Sequence, residues 1–242
     1  MIFGVLYYDG QKTTLKIAID GPGGAGKSTL AKGLAKKLDF AYVDTGAIYR
    51  TVGFAARARG IAPDDAPAVT EMLGKIKVEA KFEGGRQDMY LDGEFLGDRI
   101  REHEISHYAS AVSAIPAVRE YLFDMQRSIA DENNVIMDGR DIGTVILPDA
   151  QLKVFLTATP EERAMRRTSE LIEKGQAADF EQILADIKER DDRDSNRAIA
   201  PLKPAEDAIL FNNTGYTPEQ SLAKLLEIVK DKLGISEVLY EK

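Results

Sequence analysis

One run of eight residues limits what this chain can fold into more than any other feature: Gly21-Pro22-Gly23-Gly24-Ala25-Gly26-Lys27-Ser28. It matches G-x-x-x-x-G-K-[ST] in full, and a β-rich run precedes it while a helical leucine repeat follows it. The glycines let backbone N–H groups converge on phosphate oxygens, Lys27 adds a point charge, and Ser28 can ligate Mg²⁺. A plain glycine-rich turn would not need the Lys-Ser pair. The run predicts a nucleoside triphosphate site, and it leaves the phosphate acceptor open.

The runs that should form the sheet are mostly apolar rather than alternating, as expected for parallel strands buried on both faces. They are residues 15–20, 40–43, 135–138, 153–157 and 208–212. Leu30, Leu34 and Leu38 share a helical face between the first two runs. A second helical stripe, Val118, Leu122, Met125 and Ile129, precedes the third. We expect an α/β fold, a five-stranded parallel sheet with helices on both faces.

Two stretches depart from this pattern of apolar strands and amphipathic helices. In residues 75–97, apolar positions alternate and the dipeptides Gly84-Gly85 and Asp92-Gly93 separate three short strands, which predicts an antiparallel meander. Farther on, Thr159 to Glu162 reads as a capping box, Gly175 can end that helix, and a second helix should start near Asp179. We expect one domain over residues 1–242, with an insert near 62–105 and a helical lid near 160–197.

Composition excludes several classes of protein. The 40 acidic residues outnumber the 32 Lys and Arg, and the net charge of −8 disfavours nucleic acid and anionic membranes as partners. No window approaches the roughly 18 apolar residues of a membrane span. The chain has no cysteine, so disulfides and Cys-ligated zinc are impossible. Because the apolar start lacks the features of a secretory signal, we expect a cytoplasmic protein. We read residues 1–13 as an edge strand or an extension, and we expect a monomer.

A competing motif is His103-Glu104-Ile105-Ser106-His107, the H-E-x-x-H pattern of zinc metalloproteases. A metzincin continuation needs a glycine and a histidine where this chain has Ser110 and Ser113. Glu120 could formally serve as a third zinc ligand. The alternative is two solvated histidines on a polar helix face, and we favour it over the protease.

Acids that end predicted strands are candidates for holding magnesium through water, because ligands of an open α/β sheet bind at that edge. Two qualify, Asp138 and Asp44. We favour Asp138, acting with Ser28. Either carboxylate could instead cap a turn or a helix.

The second predicted lid helix carries an apolar stripe that turns charged. Four apolar residues at helical spacing are followed on the same face by Arg190, Asp194 and Arg197. A core-facing stripe that becomes charged indicates entry into a cleft. With Arg50 and Arg140, these arginines could bind phosphate and neutralise charge on a transferred phosphoryl group. Alternatively, some of them pair with neighbouring acids in a surface network.

Four segments in order resemble the bacterial cytidylate kinases, a family of P-loop nucleoside monophosphate kinases. They are Gly21 to Thr29, Asp44-Thr45-Gly46-Ala47-Ile48-Tyr49-Arg50, Asp138-Gly139-Arg140-Asp141-Ile142-Gly143-Thr144, and the charged run from Lys188 to Ala198. The resemblance covers roughly residues 15 to 235. It implies transfer of the γ-phosphoryl group of Mg·ATP to CMP or dCMP.

The resemblance also implies roles for individual residues. Beside these, the motif and the lid helix give candidate contacts to ATP, which are Gly21, Pro22, Gly23, Gly24, Ala25, Gly26, Lys27, Ser28, Thr29 and Arg166. Catalytic charge neutralisation falls to Lys27, Arg140, Arg190 and Arg197. It places Asp141 and Ser110 on the cytosine amino group and Arg119 on N3 and O2. Thr45, Arg50 and Arg140 would hold the monophosphate, Arg190 and Asp194 the sugar, and Arg197 the phosphate.

The alternatives concern the acceptor and some of these roles. Uracil would leave Asp141 unpaired, at a cost of about 1 to 3 kcal/mol, so we expect cytidine nucleotides to be preferred. Another P-loop kinase, acting on UMP, AMP or a metabolite hydroxyl, is the nearest rival, and a nucleotide-binding regulator without turnover is a second. Ser110 and Arg119 could be an ordinary helix residue and a surface charge. The lid arginines Arg163, Arg166 and Arg167 either close over ATP or form a solvated helix face.

Overall fold

The computed structural model describes residues 14–83 and 85–234, together with the backbone of residues 7–8 and 11–12. The strands are β1 (Tyr7–Tyr8), β2 (Gln11–Lys12), β3 (Lys16–Asp20), β4 (Ala41–Asp44), β5 (Val78–Glu83), β6 (Arg86–Leu91), β7 (Glu94–Phe95), β8 (Val135–Gly139), β9 (Leu152–Thr157) and β10 (Ile209–Asn212). The α-helices are α1 (Lys27–Leu38), α2 (Thr45–Ala58), α3 (Ala66–Leu73), α4 (His103–Val112), α5 (Pro116–Glu132), α6 (Pro160–Glu173), α7 (Phe180–Asn196) and α8 (Pro218–Leu233).

Five strands form one parallel sheet in the order β10-β9-β3-β8-β4. Strand β9 pairs with β10 on one side and with β3 on the other, so that Val154 is in register with both Ile209 and Ile19. All of β3 is buried, as an apolar run covered on both faces requires. Each predicted run coincides with a strand to within one residue at either end. The predicted α/β class with a five-stranded parallel sheet is confirmed.

The chain comprises two compact units, residues 1–14 with 40–135 and residues 15–39 with 136–242. The expectation of a single domain with two excursions stays a prediction. Strands β1 and β2 pair antiparallel, with Tyr7 opposite Lys12. Within the ranges that the structure describes, no helix has both the length and the apolar character needed to cross a membrane.

In the first unit, the predicted meander is confirmed. Strands β5, β6 and β7 pair antiparallel in sequence order, with Val78 opposite Leu91 and Tyr90 opposite Phe95. Gln87 on β6 accepts from the backbone N–H of Asp44 at 2.7 Å and donates to its carbonyl at 3.3 Å, which anchors the meander to the end of β4.

Helix packing in the first unit is close, and in α5 it departs from expectation. A methyl group at Gly53 on α2 would lie 2.9 Å from the backbone nitrogen of Ala109, so only glycine allows α2 and α4 to approach this closely.

The predicted apolar stripe of α5 is only partly right. Val118 and Leu122 are buried, whereas Met125 and Ile129 are half-buried. The buried face instead includes Arg119, Gln126 and Ala130. Two of these residues are polar, so a search for apolar spacing does not find them.

In the second unit, α1 buries Leu30, Leu34 and Leu38 as predicted. The two lid helices also begin where expected. The Thr159 hydroxyl caps α6 by accepting from the N–H of Glu162 at 3.3 Å, and the Asp179 carboxylate caps α7 by accepting from Gln182 at 3.1 Å. The Glu162 carboxylate accepts from Arg166 at 3.1 Å, so this side chain serves an ion pair rather than the predicted capping box.

Candidate functional site

The phosphate loop joins the end of β3 to the start of α1, as its motif predicted. Gly21, Gly24 and Gly26 have φ values of +147°, +77° and +89°, a region that residues with a side chain rarely adopt. A methyl group at Gly21 would also lie 1.9 Å from the carbonyl oxygen of Leu156. Glycine is therefore required by backbone conformation and by space. Pro22 and Ala25 are buried within the loop, and Ser28 and Thr29 lie exposed in the first turn of α1.

Lys27 is the buried cation of the loop. Its Nζ donates to the carbonyl oxygen of Pro22 at 2.8 Å, so the side chain curls back over the loop. Burial lowers the pKa of Lys27 well below its ordinary value, and the positive charge of Arg140 acts in the same direction. A phosphate anion bound here would offset both effects. The site is therefore arranged for a negative ligand.

Arginines from distant parts of the second unit converge on the same loop. A methyl group at Gly23 would lie 3.5 Å from Nη2 of Arg140 and 3.6 Å from Nη1 of Arg190. These side chains come from the end of β8 and from α7, which places two guanidinium groups against the phosphate loop. The predicted convergence of Arg140 and Arg190 on a phosphate site is present in this unit.

Asp194 is the counter-ion of this arginine cluster. It is 6% exposed and accepts from Nε of Arg140 at 3.0 Å, with Arg190 Nε at 3.9 Å. Burial alone would raise the pKa of Asp194, but the charges of Arg140, Arg190 and Arg197 hold it below its ordinary value. The carboxylate stays ionised and holds the guanidinium groups in place. The apolar stripe of α7, which was expected to face the core, is only half-buried, and it leads to the buried Asp194.

Asp141 and Arg197 are placed together. Nη2 of Arg197 lies 3.7 Å from a carboxylate oxygen of Asp141, and the Arg197 Nε donates to the carbonyl of Ala200. Asp141 is 4% exposed and directly precedes a π-helical turn, Ile142–Ile146, that the sequence pattern did not predict. Such turns are frequent at functional sites.

Ser28 and Asp138 form a pair of oxygen groups beside the phosphate loop. The Ser28 hydroxyl donates to the Asp138 carboxylate at 2.9 Å. Magnesium prefers oxygen ligands, so this pair suits the ion. The other candidate, Asp44, caps α2 by accepting from the N–H of Ala47 at 2.9 Å and pairs with Arg50 at the same distance. The capping alternative therefore applies to Asp44, and the role of Asp138 at a magnesium ion stays a prediction.

In the first unit, Ser110 and Arg119 are brought together through Ser113. The Ser113 hydroxyl donates to the carbonyl of Ser110 at 2.8 Å, and the Arg119 guanidinium donates to the carbonyl of Ser113 at 3.1 Å. Arg119 is 8% exposed and lies 5.8 Å from the Tyr49 ring centre. Within the described ranges, the buried Ser110 Oγ has no hydrogen-bond partner. A buried, unsatisfied hydroxyl is costly unless a ligand completes it.

Thr45 and Arg50 lie on the first two turns of α2. Thr45 is 3% exposed, and Nη2 of Arg50 pairs with Asp44 while its Nε is buried without a partner among the described residues. A methyl group at Gly46 would lie 2.9 Å from Nη1 of Arg50, so glycine leaves room for this guanidinium.

Asn213 is a site residue that the sequence reasoning missed. It follows β10, is 3% exposed, and donates to the carbonyl of Ala25 in the phosphate loop at 3.1 Å. Arg166 donates to the carbonyl of Asn213 at 3.0 Å and lies 3.4 Å from its side-chain oxygen. Arg166 is therefore held beside the loop. The polar run Asn212-Asn213-Thr214 after a predicted strand was the available signal, since ligands bind at strand ends.

The three lid arginines do not behave alike. Arg163 is 2% exposed and bonded to other protein groups, so neither expectation for it, a nucleotide contact or a solvated face, describes its surroundings. Arg167 pairs with Glu170 at 2.9 Å on the exposed side of α6, as a solvated face would.

The H-E-x-x-H motif finds no support as a metal site. His107 is exposed, and the Glu104 carboxylate pairs with Arg57 at 2.7 Å. Among the side chains that the structure describes, which do not include that of His103, no three potential His, Cys, Asp or Glu ligands come together. The zinc protease alternative is not retained.

Comparison with known proteins bears on the identity of the site. Residues 17–231 match a family model described as cytidylate kinase. A protein named cytidylate kinase from Caldicellulosiruptor bescii is 50% identical over 214 residues, which is 88% of this chain and 95% of the relative. One with the same name from Mycobacterium leprae is 43% identical over 92% of this chain and 98% of its own length. A solved shikimate kinase from Bacteroides thetaiotaomicron is 15% identical with a TM-score of 0.45 over 89% of this chain and 98% of its own, values too low to carry a conclusion.

Proposed function

The chain belongs to the cytidylate kinase family, and we propose on that premise that it transfers the γ-phosphoryl group of ATP to CMP or dCMP, giving ADP and CDP or dCDP. The observation that carries this proposal is the convergence of Lys27, Arg140 and Arg190 on one phosphate loop. A loop that only bound a nucleotide would not need two guanidinium groups beside it. Such groups suit a step in which phosphoryl charge must be neutralised.

ATP occupies the second unit in this proposal. Backbone N–H groups of the loop and the first turn of α1 hold its phosphates, and Lys27 releases the Pro22 carbonyl to contact the β- and γ-phosphates. Arg166, fixed beside the loop by Asn213, contacts the nucleotide. Ser28 and Asp138 are the oxygen groups that would hold magnesium here, and the ion would neutralise phosphate charge.

The acceptor roles follow the family resemblance. In the second unit, the groups assigned to the monophosphate and the sugar are Arg140, Arg190, Asp194 and Arg197. In the first unit, Thr45 and Arg50 are the groups assigned to phosphate, and the buried Nε of Arg50 is a donor suited to it.

The family resemblance assigns groups for base recognition in each unit. In the first unit, Ser110 accepts from the cytosine amino group and Arg119 donates to N3 and O2. In the second unit, Asp141 is an acceptor suited to the amino group. The unsatisfied Ser110 hydroxyl supports its part of this role, because the amino group would complete it. Uracil carries a carbonyl where cytosine carries the amino group, so it would leave the Asp141 carboxylate, which can only accept, unpaired.

The chemistry needs no general base. An oxygen of the acceptor monophosphate is already anionic, and it forms a bond to the γ-phosphorus while the bond from that phosphorus to the β,γ-bridging oxygen breaks. The electron pair of the broken bond leaves with ADP. Lys27, Arg140, Arg190 and Arg197 supply positive charge to the transferred group, so positioning and electrostatics account for catalysis.

An ADP-release assay with ATP and Mg²⁺ over CMP, dCMP, UMP and AMP tests this proposal. We expect CMP and dCMP to be the best acceptors, with kcat/KM for UMP lower by about 5- to 150-fold, which corresponds to about 1 to 3 kcal/mol for the unpaired Asp141 carboxylate. Ser110→Ala should raise the KM for CMP, whereas Ser106→Ala, on the same helix, should not. Faster turnover of UMP or AMP would contradict the proposal, and nucleotide binding without turnover would identify a regulator.

The cytoplasmic location and the monomeric state expected from the sequence stay predictions.

A further inference from the structure

The Arg163 side chain joins three segments of the second unit. Its Nε donates to the carbonyl of Ala158 at 3.0 Å, and its Nη1 donates to the carbonyl of Gly23 at 2.9 Å and to Asp191 at 3.1 Å. Its Nη2 donates to the second carboxylate oxygen of Asp191. Four of the five N–H groups are thus directed at protein acceptors, so this arginine does not have the pair of free N–H groups that bidentate binding of phosphate requires.

The bond to Gly23 orients the phosphate loop. In a trans peptide the carbonyl and the following N–H point in opposite directions. Holding the Gly23 carbonyl toward Arg163 therefore turns the N–H of Gly24 away from α6. Gly24 also packs on the arginine stem, since a methyl group there would lie 3.3 Å from Cβ of Arg163. The side chain fixes the position of the loop as well as the direction of one of its donors.

The bidentate pair with Asp191 orients α7. Asp191 directly follows Arg190 and lies one turn before Asp194, and these two residues stand in the arginine cluster. Because successive helical residues are fixed relative to one another, anchoring Asp191 sets the rotation of α7 about its axis. It thereby sets where the guanidinium of Arg190 lies relative to Gly23.

We propose that Arg163 and Asp191 form a positioning pair that couples the phosphate loop to the arginine-bearing helix α7, so that the loop and Arg190 are held in register for phosphoryl transfer. The inference rests on the proposed function, but it assigns a role to two residues for which that function names no substrate contact. The two bonds of Arg163 should have different effects. The bond to Gly23 acts on the binding of nucleotide phosphate, and the bond to Asp191 acts on the turnover step through Arg190.

Steady-state kinetics of three variants test the pair. Asp191→Asn leaves the Gly23 bond in place, so we expect kcat to fall about 10- to 100-fold while the KM for ATP stays within about 3-fold. Arg163→Met removes both bonds and should also raise the KM for ATP. The double variant Arg163→Met/Asp191→Leu leaves no unpaired buried charge. It should recover thermal stability relative to the single variants without recovering kcat.

A matched control is Lys188→Met. Lys188 on α7 pairs with Glu161 on α6 at 3.3 Å, and both side chains are about half exposed. This variant breaks an ion pair between the same two helices without touching the loop, and it should change kcat by less than about 2-fold.

A second readout separates positioning from stability. If Asp191 acts through Arg190, replacing Arg190 by lysine should cost less in the Asp191→Asn background than in the wild type, because the two changes remove the same contribution. The proposal is overturned if kcat of Asp191→Asn stays within about 3-fold of the wild type, or if kcat of Lys188→Met falls as much as that of Asp191→Asn. It is also overturned if the effects of Asp191→Asn and Arg190→Lys on kcat are additive.

Calorimetric titration with ADP keeps this test distinct from that of the proposed function. It needs no CMP turnover, and we expect Arg163→Met but not Asp191→Asn to weaken ADP binding. A wild-type enzyme that binds ADP but does not phosphorylate CMP would refute the proposed function. Equal ADP affinities in the wild type and in Arg163→Met would refute the role of the pair in the loop. Circular dichroism melts establish whether each variant is folded. If Arg163→Met does not fold, the isosteric Asp191→Asn provides the test.

Discussion

Asp20 is a buried carboxyl whose ionisation should cost the folded protein stability at neutral pH. It ends β3, is 5% exposed, and accepts from the backbone N–H groups of Ile142 at 2.8 Å and Gly143 at 2.7 Å. Burial raises the pKa of Asp20 from 3.8 to about 6, and the two N–H donors only partly oppose this effect. Replacing Asp20 by asparagine removes the ionisation.

The magnitude follows from linkage. Between the two pKa values the folded state binds more protons than the unfolded state, so the contribution of this group to stability falls as pH rises from about 4 to about 6. The full difference corresponds to about 3 kcal/mol, of which about 2 kcal/mol falls between pH 4.5 and 7.5. Asparagine has one side-chain oxygen fewer to accept from the backbone N–H groups, but that penalty is the same at every pH.

Urea unfolding of the wild type and Asp20→Asn at several pH values between 4.5 and 7.5 measures this effect. The free energy of unfolding of the variant, relative to the wild type, should increase by about 2 kcal/mol across the range. A difference that is constant with pH would refute the reasoning. It would mean that the hydrogen bonds from Ile142 and Gly143 compensate fully for the burial of the charge.

Two further predictions concern the phosphate loop. Gly21→Ala places a methyl group 1.9 Å from the carbonyl oxygen of Leu156 in a backbone conformation with φ of +147°, so it should destabilise the fold by at least about 1 to 3 kcal/mol, measured by thermal melting; an unchanged melting temperature would contradict the steric argument. Asp138→Asn should raise the Mg²⁺ concentration for half-maximal activity by about 10- to 100-fold while the fold is kept, as magnesium titration of the ADP-release assay would show. An unchanged requirement would mean that Asp138 does not serve the ion.

Much of the fold could be predicted because its elements depend on local pattern. The apolar runs that became β3, β8 and β9, the leucine face of α1, and the capping residues Thr159 and Asp179 are each read from a few neighbouring residues. In α5 this reasoning was only partly right. Its buried face includes Arg119 and Gln126, and a hydrophobic repeat cannot identify polar residues that are buried by tertiary contacts.

Site residues within one motif were also predictable. The loop from Gly21 to Ser28 imposes its own conformation through glycine, and Asp138 follows directly from a buried strand. The charged end of the α7 stripe was likewise visible in the spacing of Arg190 and Asp194. These features need only short-range geometry.

Local sequence patterns were enough to predict the parallel sheet, the phosphate loop and the basic side chains beside it. How individual polar groups are used depends on tertiary contacts: Asp44 caps a helix while Asp138 accepts from Ser28, and Asn213 reaches Ala25 from the end of β10. Arg163 shows the difference most clearly, because residues 140 and 28 positions away along the chain supply its acceptors. Helical spacing indicates which face a side chain occupies, but whether an arginine meets solvent, substrate or a buried carboxylate depends on segments that only folding brings together.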